Sequence, residues 1–329
     1  MLAPPDGMSD QALVRVLGDV WGLAVEAIEY RPVGFGSYHW VVLDTGGTRW
    51  FVTVDDLDSK LQSPGEARSE AFGRLRAALA TAMHVRDSGA GFVVAPIPTL
   101  AGEPLVWADR RYGVALYPFV DGEAFSWGEF SSPAHRRGVL DLVVALHSGP
   151  GAASREAMAD EFVVPHRATL ELTANDITHW DAGPYARPAS ALLVENTQQI
   201  RRLLSRYDDL VTEARRLPDR VVLTHGEPHP GNTMLTSAGW VLIDWDTVLL
   251  APPERDLWSL DPGDGSILGA YADATGTTPE PPLLELYRIR WDLADMALFF
   301  NQFERPHSGN LDDQQSWDIL CTLVERLPA

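Results

Sequence analysis

Thr224 to Asn232 reads T-H-G-E-P-H-P-G-N, and twelve residues beyond Asn232 comes Asp244, in V-L-I-D-W-D. These residue types at this spacing suit phosphoryl transfer. That reaction needs three things at one point: a polar group to orient or deprotonate an acceptor hydroxyl, hard oxygen ligands for Mg²⁺, and shielding of phosphate charge. Glu227 and Asn232, five positions apart, can present both side chains from a single loop. The apolar run Val241-Leu242-Ile243 is expected to be a short buried strand that delivers Asp244 to the same place. Asn and Asp oxygens suit Mg²⁺, which takes few protein ligands and keeps water. Other chemistries fit poorly. His225 and His229 are four apart, but Gly226, Pro228, Pro230 and Gly231 forbid the regular helix of a metalloprotease site. No G-x-S-x-G nucleophile elbow occurs.

The run H-G-E-P-H-P-G-N followed by I-D-W-D resembles the catalytic and metal-binding loops of the aminoglycoside phosphotransferase family. That family's pattern is roughly H-G-D-x-H-x-x-N, then I-D. Pro252 to Leu257, P-P-E-R-D-L, resembles its acidic segment after the metal loop. Within the family, the chain looks most like the spectinomycin-type antibiotic kinases. The specific motifs cover only about 35 residues. The resemblance implies a two-lobed, protein-kinase-like α+β fold. Residues 1–118 would form a small antiparallel β lobe with one inserted helix, which binds nucleotide. Residues 119–329 would form a larger, mainly helical lobe for catalysis and acceptor binding. It also implies ATP or GTP as donor, with Mg²⁺ held by Asn232 and Asp244. Glu227 would stand at the catalytic-base position, His225 would shape the loop, and Asp256 would support it.

Two positions depart from the family's pattern. Glu227 replaces the usual Asp, and its extra methylene moves the carboxylate out by about 1.5 Å. It remains a competent acceptor for a hydroxyl proton; the alternative is a loop-stabilising carboxylate. In R-W-F-V-T-V, Arg49 to Val54, Thr53 stands where the family has its nucleotide lysine. Lys60, seven residues on, is the only lysine in the chain. Either it reaches back to the phosphates, or it is a solvated charge, or an arginine substitutes.

V-G-F-G-S-Y, Val33 to Tyr38, offers Gly34 and Gly36 for close backbone approach to phosphates, and Ser37 as a hydrogen-bond donor. Any hairpin turn also uses glycine. Glu70, or Glu66 one turn before it, is expected to face the cleft and pair with the lysine; the alternative is a solvated helix face. The linker residues Pro118, Phe119 and Val120 are expected to pass the nucleobase edge. For the acceptor, Arg290 to Glu304 sets Trp291, Asp292, Asp295 and Glu304 among Phe299, Phe300 and Phe303. Acids beside aromatics suit an aminated ring; the alternative is an amphipathic core helix. Asn175 to Asp181 is a second candidate wall. The product would be a phosphate monoester of an antibiotic: an aminoglycoside or aminocyclitol first, a nucleoside or peptide antibiotic next. The alternatives are a metabolic kinase for a sugar, choline or homoserine, and a catalytically weak nucleotide- or drug-binding protein.

Hydrophobic patterning predicts the elements that carry these residues. A helix is expected over 9–22, capped by Ser9, then strands over 24–31, 38–43 and 49–55 with a turn at Asp44-Thr-Gly-Gly47. A helix follows at 66–86, then strands at 91–95, 104–108 and 112–117. Ser132-Pro133 opens a helix that runs to Gly149. Further helices are expected at 187–216, 281–304 and 313–327, with strands near 221–224, 233–236 and 240–244.

Composition bounds the class. The 329 residues suggest two lobes, and 45% hydrophobic content is ordinary for a globular protein. A formal net charge of -20 argues against a nucleic-acid partner and is compatible with a cationic ligand; the alternative is that the acid only keeps the surface soluble. One cysteine, Cys321, permits no intramolecular disulfide or cysteine zinc site. The N-terminal residues lack a signal-peptide pattern, and no apolar run of about 18 residues occurs. A cytoplasmic protein, monomer or homodimer, is expected.

Overall fold

A computed structural model of the chain describes residues 1–149, 155–172 and 180–327. The first helix, α1 (Asp10–Trp21), starts where the Ser9 side chain accepts the Ala12 N–H and ends at left-handed Gly22. Its buried Leu13 and Leu17 face a sheet. That sheet contains β1 (Val25–Arg31), β2 (Tyr38–Asp44), β3 (Arg49–Asp56), β4 (Val106–Ala108) and β5 (Tyr112–Pro118). Its order is β1-β2-β3-β5-β4, and all pairs are antiparallel. Alternation in β2 and β3 buries Trp40, Val42, Val52 and Val54 on one face. The opposite face of β3 carries Phe51, Thr53 and Asp55 toward the remainder of the molecule. Helix α2 (Arg68–Asp87) is inserted between β3 and β4, as the patterning predicts.

The expected strand at 91–95 does not form. Its Val93 makes one bridge to Leu242 and is fully buried. That apolar run fills the core between the two halves of the molecule instead of extending the sheet. Beyond β5, a two-residue strand, β6 (Glu123–Ala124), precedes α3 (Pro133–Ser148), α4 (Arg167–Leu170) and α5 (Ala186–Ala214). Then come β7 (Val222–Thr224), β8 (Thr233–Thr236), β9 (Gly239–Leu242) and β10 (Leu249–Ala251). The chain closes with α6 (Glu254–Leu260), α7 (Ser266–Thr275), α8 (Pro281–Glu304) and α9 (Leu311–Glu325).

The helical half is built on α5 and α8. Leu193, Ile200 and Leu204 of α5 share a buried cluster with Leu286, Leu293 and Phe300 of α8. Each such side chain contributes about 1.5–3 kcal/mol by leaving water. Two small sheets mount the chemistry on this base. β7 pairs with β10, and β6 and β9 flank β8. Their short loops hold residues 225–232 and 243–248 side by side. Among the described residues, no helix is long and apolar enough to cross a membrane.

Candidate active site

The loop between β7 and β8 is fixed from below by α6. Asp256, fully buried, accepts the backbone N–H of His225 at 2.9 Å and of Gly226 at 2.6 Å. Burial opposes its ionisation, but hydrogen bonding from His147 outweighs this and holds its carboxyl below the usual range. Arg255 donates to the Thr224 hydroxyl at 2.8 Å and to the Thr247 carbonyl at 2.7 Å. Its guanidinium lies so close to Gly226 (φ +99°) that a Cβ there would sit 2.5 Å from it. His225 is fully buried. Its Nε2 donates to the Ile243 carbonyl at 2.9 Å, and its Nδ1 accepts the Glu227 N–H at 3.2 Å. Burial lowers its pKa, in keeping with a neutral ring that donates from one nitrogen and accepts at the other. His225 thus ties the loop to the segment that carries Asp244.

Asn232 ends a short 3-10 turn, Pro230–Asn232, and is buried. The Ile243 N–H donates to its carbonyl at 3.0 Å, which brings Asp244 alongside. Its Nδ2 donates to the Glu227 carbonyl at 3.1 Å, leaving Oδ1 as the oxygen a cation would use. Asp244 adopts a left-handed backbone (φ 63°) and is open to solvent, although protein atoms crowd round it in the cleft. That crowding, followed by the charges of Asp246 and Glu227, drives its pKa well up. An acidic cluster with so little internal compensation fits a divalent cation. Among the described residues no group of three or more His, Cys, Asp or Glu forms a metal cage. An ion at Asn232 and Asp244 would therefore take its other ligands from phosphate and water, the habit of Mg²⁺.

Lys60 enters the same cluster. Its Nζ donates to Asp246 at 2.7 Å and lies 3.2 Å from Asp55. Burial works against its charge, but these carboxylates prevail and raise its pKa well above the ordinary lysine value. Asp55 also accepts the Ser37 hydroxyl at 2.6 Å, so the 33–38 loop joins the network. Gly34 and Gly36 both take positive φ there.

Glu70 does not face the lysine. It is exposed, and its carboxylate accepts the Ala67 N–H at the start of its own helix, where a first-turn acid is most stable. Glu66 pairs with Arg74 instead. Of the linker, Pro118 is the last residue of β5, opposite Trp50. The Phe119 ring lies under the Arg49 guanidinium at 4.1 Å, and Val120 packs against the buried cluster that holds Leu79, Val94 and Tyr117.

A cavity of about 240 Å³ adjoins Glu227, walled by Trp127, His229, Trp258, Asp261 and Trp291. Asp295 lies near Glu227 and bonds to Trp291. Burial, then the Glu227 charge, pushes its pKa up to about 7. Asp292 turns to Arg326 at 3.2 Å. Glu304 is exposed at the far end of α8, twelve residues past Asp292 and so about 18 Å away. It does not join this wall. Phe299, Phe300 and Phe303 are buried in the helical core and line no part of it. In Asn175 to Asp181, residues 175–179 lie outside the described residues. Asp55, Asp246, Trp127, Trp258 and Asp261 escape the sequence reading. Asp246, within I-D-W-D, carried a legible signal; an isolated tryptophan such as Trp127 carried none.

Residues 28–288 match the phosphotransferase enzyme family, APH. The chain is 28% identical over 311 residues to Protein StrN of Streptomyces griseus, covering 89% of this chain and 85% of that protein. Its fold is similar to a spectinomycin phosphotransferase solved with ADP and spectinomycin: TM-score 0.70 at 18% identity, over 97% of this chain and 98% of that one. It is also similar to a Plasmodium vivax ethanolamine kinase: TM-score 0.59 at 11% identity, over 98% and 96% of the two chains. With the family match spanning most of the sequence and the fold agreeing, the chain belongs to the phosphotransferase enzyme family.

Proposed function

We propose that this phosphotransferase moves the γ-phosphoryl group of ATP or GTP to a hydroxyl of a small antibiotic, and so inactivates it. The observation that carries this is the convergence of Glu227, Asn232 and Asp244 beside a tryptophan-lined cavity. An aminoglycoside or aminocyclitol suits it best, because tryptophan faces and carboxylates favour hydroxylated rings that carry amines. Nucleoside and peptide antibiotics come next. The aromatic lining also favours a second reading, a kinase for a small amino alcohol.

Residues 1–118 would serve as the nucleotide lobe and residues 119–329 as the catalytic and acceptor lobe, in a cytoplasmic protein. The loop with Gly34, Gly36 and Ser37 would cover the phosphates, and the backbone at Pro118, Phe119 and Val120 would meet the base. Asn232 and Asp244 would hold Mg²⁺, which when bound neutralises phosphate oxygens. Glu227 would orient the acceptor hydroxyl and receive its proton. As the new O–Pγ bond forms, the bond from Pγ to the β-phosphate oxygen breaks and the nucleoside diphosphate leaves. Asp295 and Trp291 would contact the acceptor, with Asp292 holding α9 through Arg326.

The test is incubation with labelled ATP or GTP, Mg²⁺ and a panel of antibiotics and amino alcohols. Label should appear on one antibiotic and vanish with Asp244→Ala. Transfer only to an amino alcohol would establish the second reading. Tight ligand binding with no transfer from either donor would sink both.

A further inference from the structure

We infer that Lys60 supplies the phosphate-binding ammonium of the nucleotide site, from the turn after β3 rather than from the strand itself. The inference rests on the proposed phosphotransfer reading. The cluster of Asp55, Asp244, Asp246 and Glu227 contains four carboxylates and one lysine. Polyphosphate arriving there adds several more negative charges. A divalent ion offsets only two of them, so a second cation is required.

Three nearby guanidinium groups are committed elsewhere. Arg74 pairs with Glu66, Arg111 with Asp56, and Arg255 with Thr224 and Thr247. Lys60 differs from them. Its ammonium has three N–H donors; one is given to Asp246, and Asp55 lies 3.2 Å away as an ion pair. Donor capacity remains, on a side chain that keeps 25% of its surface exposed.

The turn that carries Lys60 is built to hold it there. Leu57 is fully buried, Asp56 accepts the Asp58 N–H at 3.0 Å, and the Ser59 hydroxyl donates to the Asp56 carbonyl at 2.7 Å. Arg74 donates to the Lys60 carbonyl at 2.9 Å. Ser37 shares Asp55 with Lys60, so the glycine-bearing loop and the ammonium meet at one carboxylate. Thr53 lies on the same face of β3 as Asp55, two residues away, and its side chain meets the Tyr117 hydroxyl. A lysine placed at Thr53 would therefore project toward the same cleft.

Calorimetric titration with Mg²⁺ and ADP, or GDP if guanine is preferred, tests this, with the free nucleoside as the control that lacks phosphates. Lys60→Met should bind the diphosphate about ten- to a hundred-fold more weakly, the loss of one charge-assisted contact. Nucleoside affinity should stay within about twofold. The double variant T53K/K60M should regain most of the lost affinity, a rescue that a purely structural lysine would not allow. Because Lys60 is the only lysine, amine acylation read by mass spectrometry gives a second measurement on the unaltered protein. Saturating diphosphate should slow labelling of Lys60, and nucleoside should not. Unchanged diphosphate affinity in folded Lys60→Met, equal losses for diphosphate and nucleoside, no rescue, or unprotected labelling would each overturn the inference. If the unaltered protein fails to bind any nucleotide, the phosphotransfer reading falls first, and this one with it.

Discussion

Glu227 and Asp295 bring two carboxylates to one cleft wall in unlike surroundings. Glu227 keeps 31% of its side chain exposed and sits 3.7 Å from His229 Nε2, whereas Asp295 is hemmed in beside Trp291. Of the two, Glu227 lines the cavity and is the one an incoming hydroxyl can reach. Glu227→Gln should lower kcat by about 10²- to 10⁴-fold, the usual worth of a general base, while nucleotide affinity measured by calorimetry stays put. A kcat within a fewfold of the parent would return Glu227 to a loop-stabilising role. Asp295 makes a different prediction. Its folded pKa of about 7 lies above its ordinary value of 3.8. Between the two, the folded chain holds a proton that the unfolded chain has released, so stability falls as pH rises from about 4 to about 7. Asp295→Asn should abolish that fall. Thermal melts at pH 8 should favour the variant by about 1–3 kcal/mol, with little difference near pH 4. An equal difference at both pH values would mean that burial of the charged form is not the cause.

Among the elements, α6 sets the catalytic loop. Its Arg255 guanidinium occupies the space above Gly226, and its Asp256 takes two loop amides. Gly226→Ala would put a methyl 2.5 Å from that guanidinium at φ +99°. A cost of about 2–4 kcal/mol in a denaturant titration, with activity lost, is expected. Gly36→Ala, where nothing lies within 4 Å, should cost only about 1 kcal/mol of backbone strain. The long periodic elements were legible in sequence: α1, β1 to β3, α2, α3, α5 and α8 fall within a few residues of expectation. Among the short ones, β7, β8 and β9 match the strands expected near 221–224, 233–236 and 240–244, but β6, β10 and α6 were not legible. β6 has two residues and β10 three, too few to show a period, and β10 exists only because β7 lies beside it. α6 begins Glu-Arg-Asp, all buried, a run that reads as surface until the catalytic loop is there to accept it. The same logic covers the site. Asn232, Glu227 and Asp244 announce themselves by local spacing. The cavity wall does not, because Trp127, Trp258 and Asp261 come from separate segments that only the fold assembles. Glu70 misled for the converse reason: helix position suggested a partner across the cleft, and its own helix start was nearer.

At the scale of the whole molecule, the first residues join the glycine-bearing loop to the far end of the helical half. The Met1 nitrogen donates to the Gly34 carbonyl at 2.7 Å, and the Leu2 N–H donates to Asp312 of α9 at 2.8 Å. The Tyr30 hydroxyl grips the carbonyls of Met1 and Ala3, each at 2.8 Å. Phe35, at the tip of the loop, meets Phe299 of α8 edge-on at 5.9 Å. Asp312 is only 8% exposed, so its carboxylate depends on that backbone donor. Deleting the donor leaves a buried charge unsatisfied, at a cost of about 1–3 kcal/mol. Leu2→Pro removes the N–H and spares every side chain of α9. Asp312→Ala removes the acceptor and spares the N-terminal backbone. If this contact holds the loop over the nucleotide, both variants should release a fluorescent ADP analogue faster, by about threefold to tenfold in stopped-flow measurements. Leu2→Pro should be the less stable of the two, since it alone strands the carboxylate. Release rates equal to the parent in both variants would mean that the loop closes without help from residues 1–3. Its hold would then come from Phe35 and from the Ser37–Asp55 bond alone.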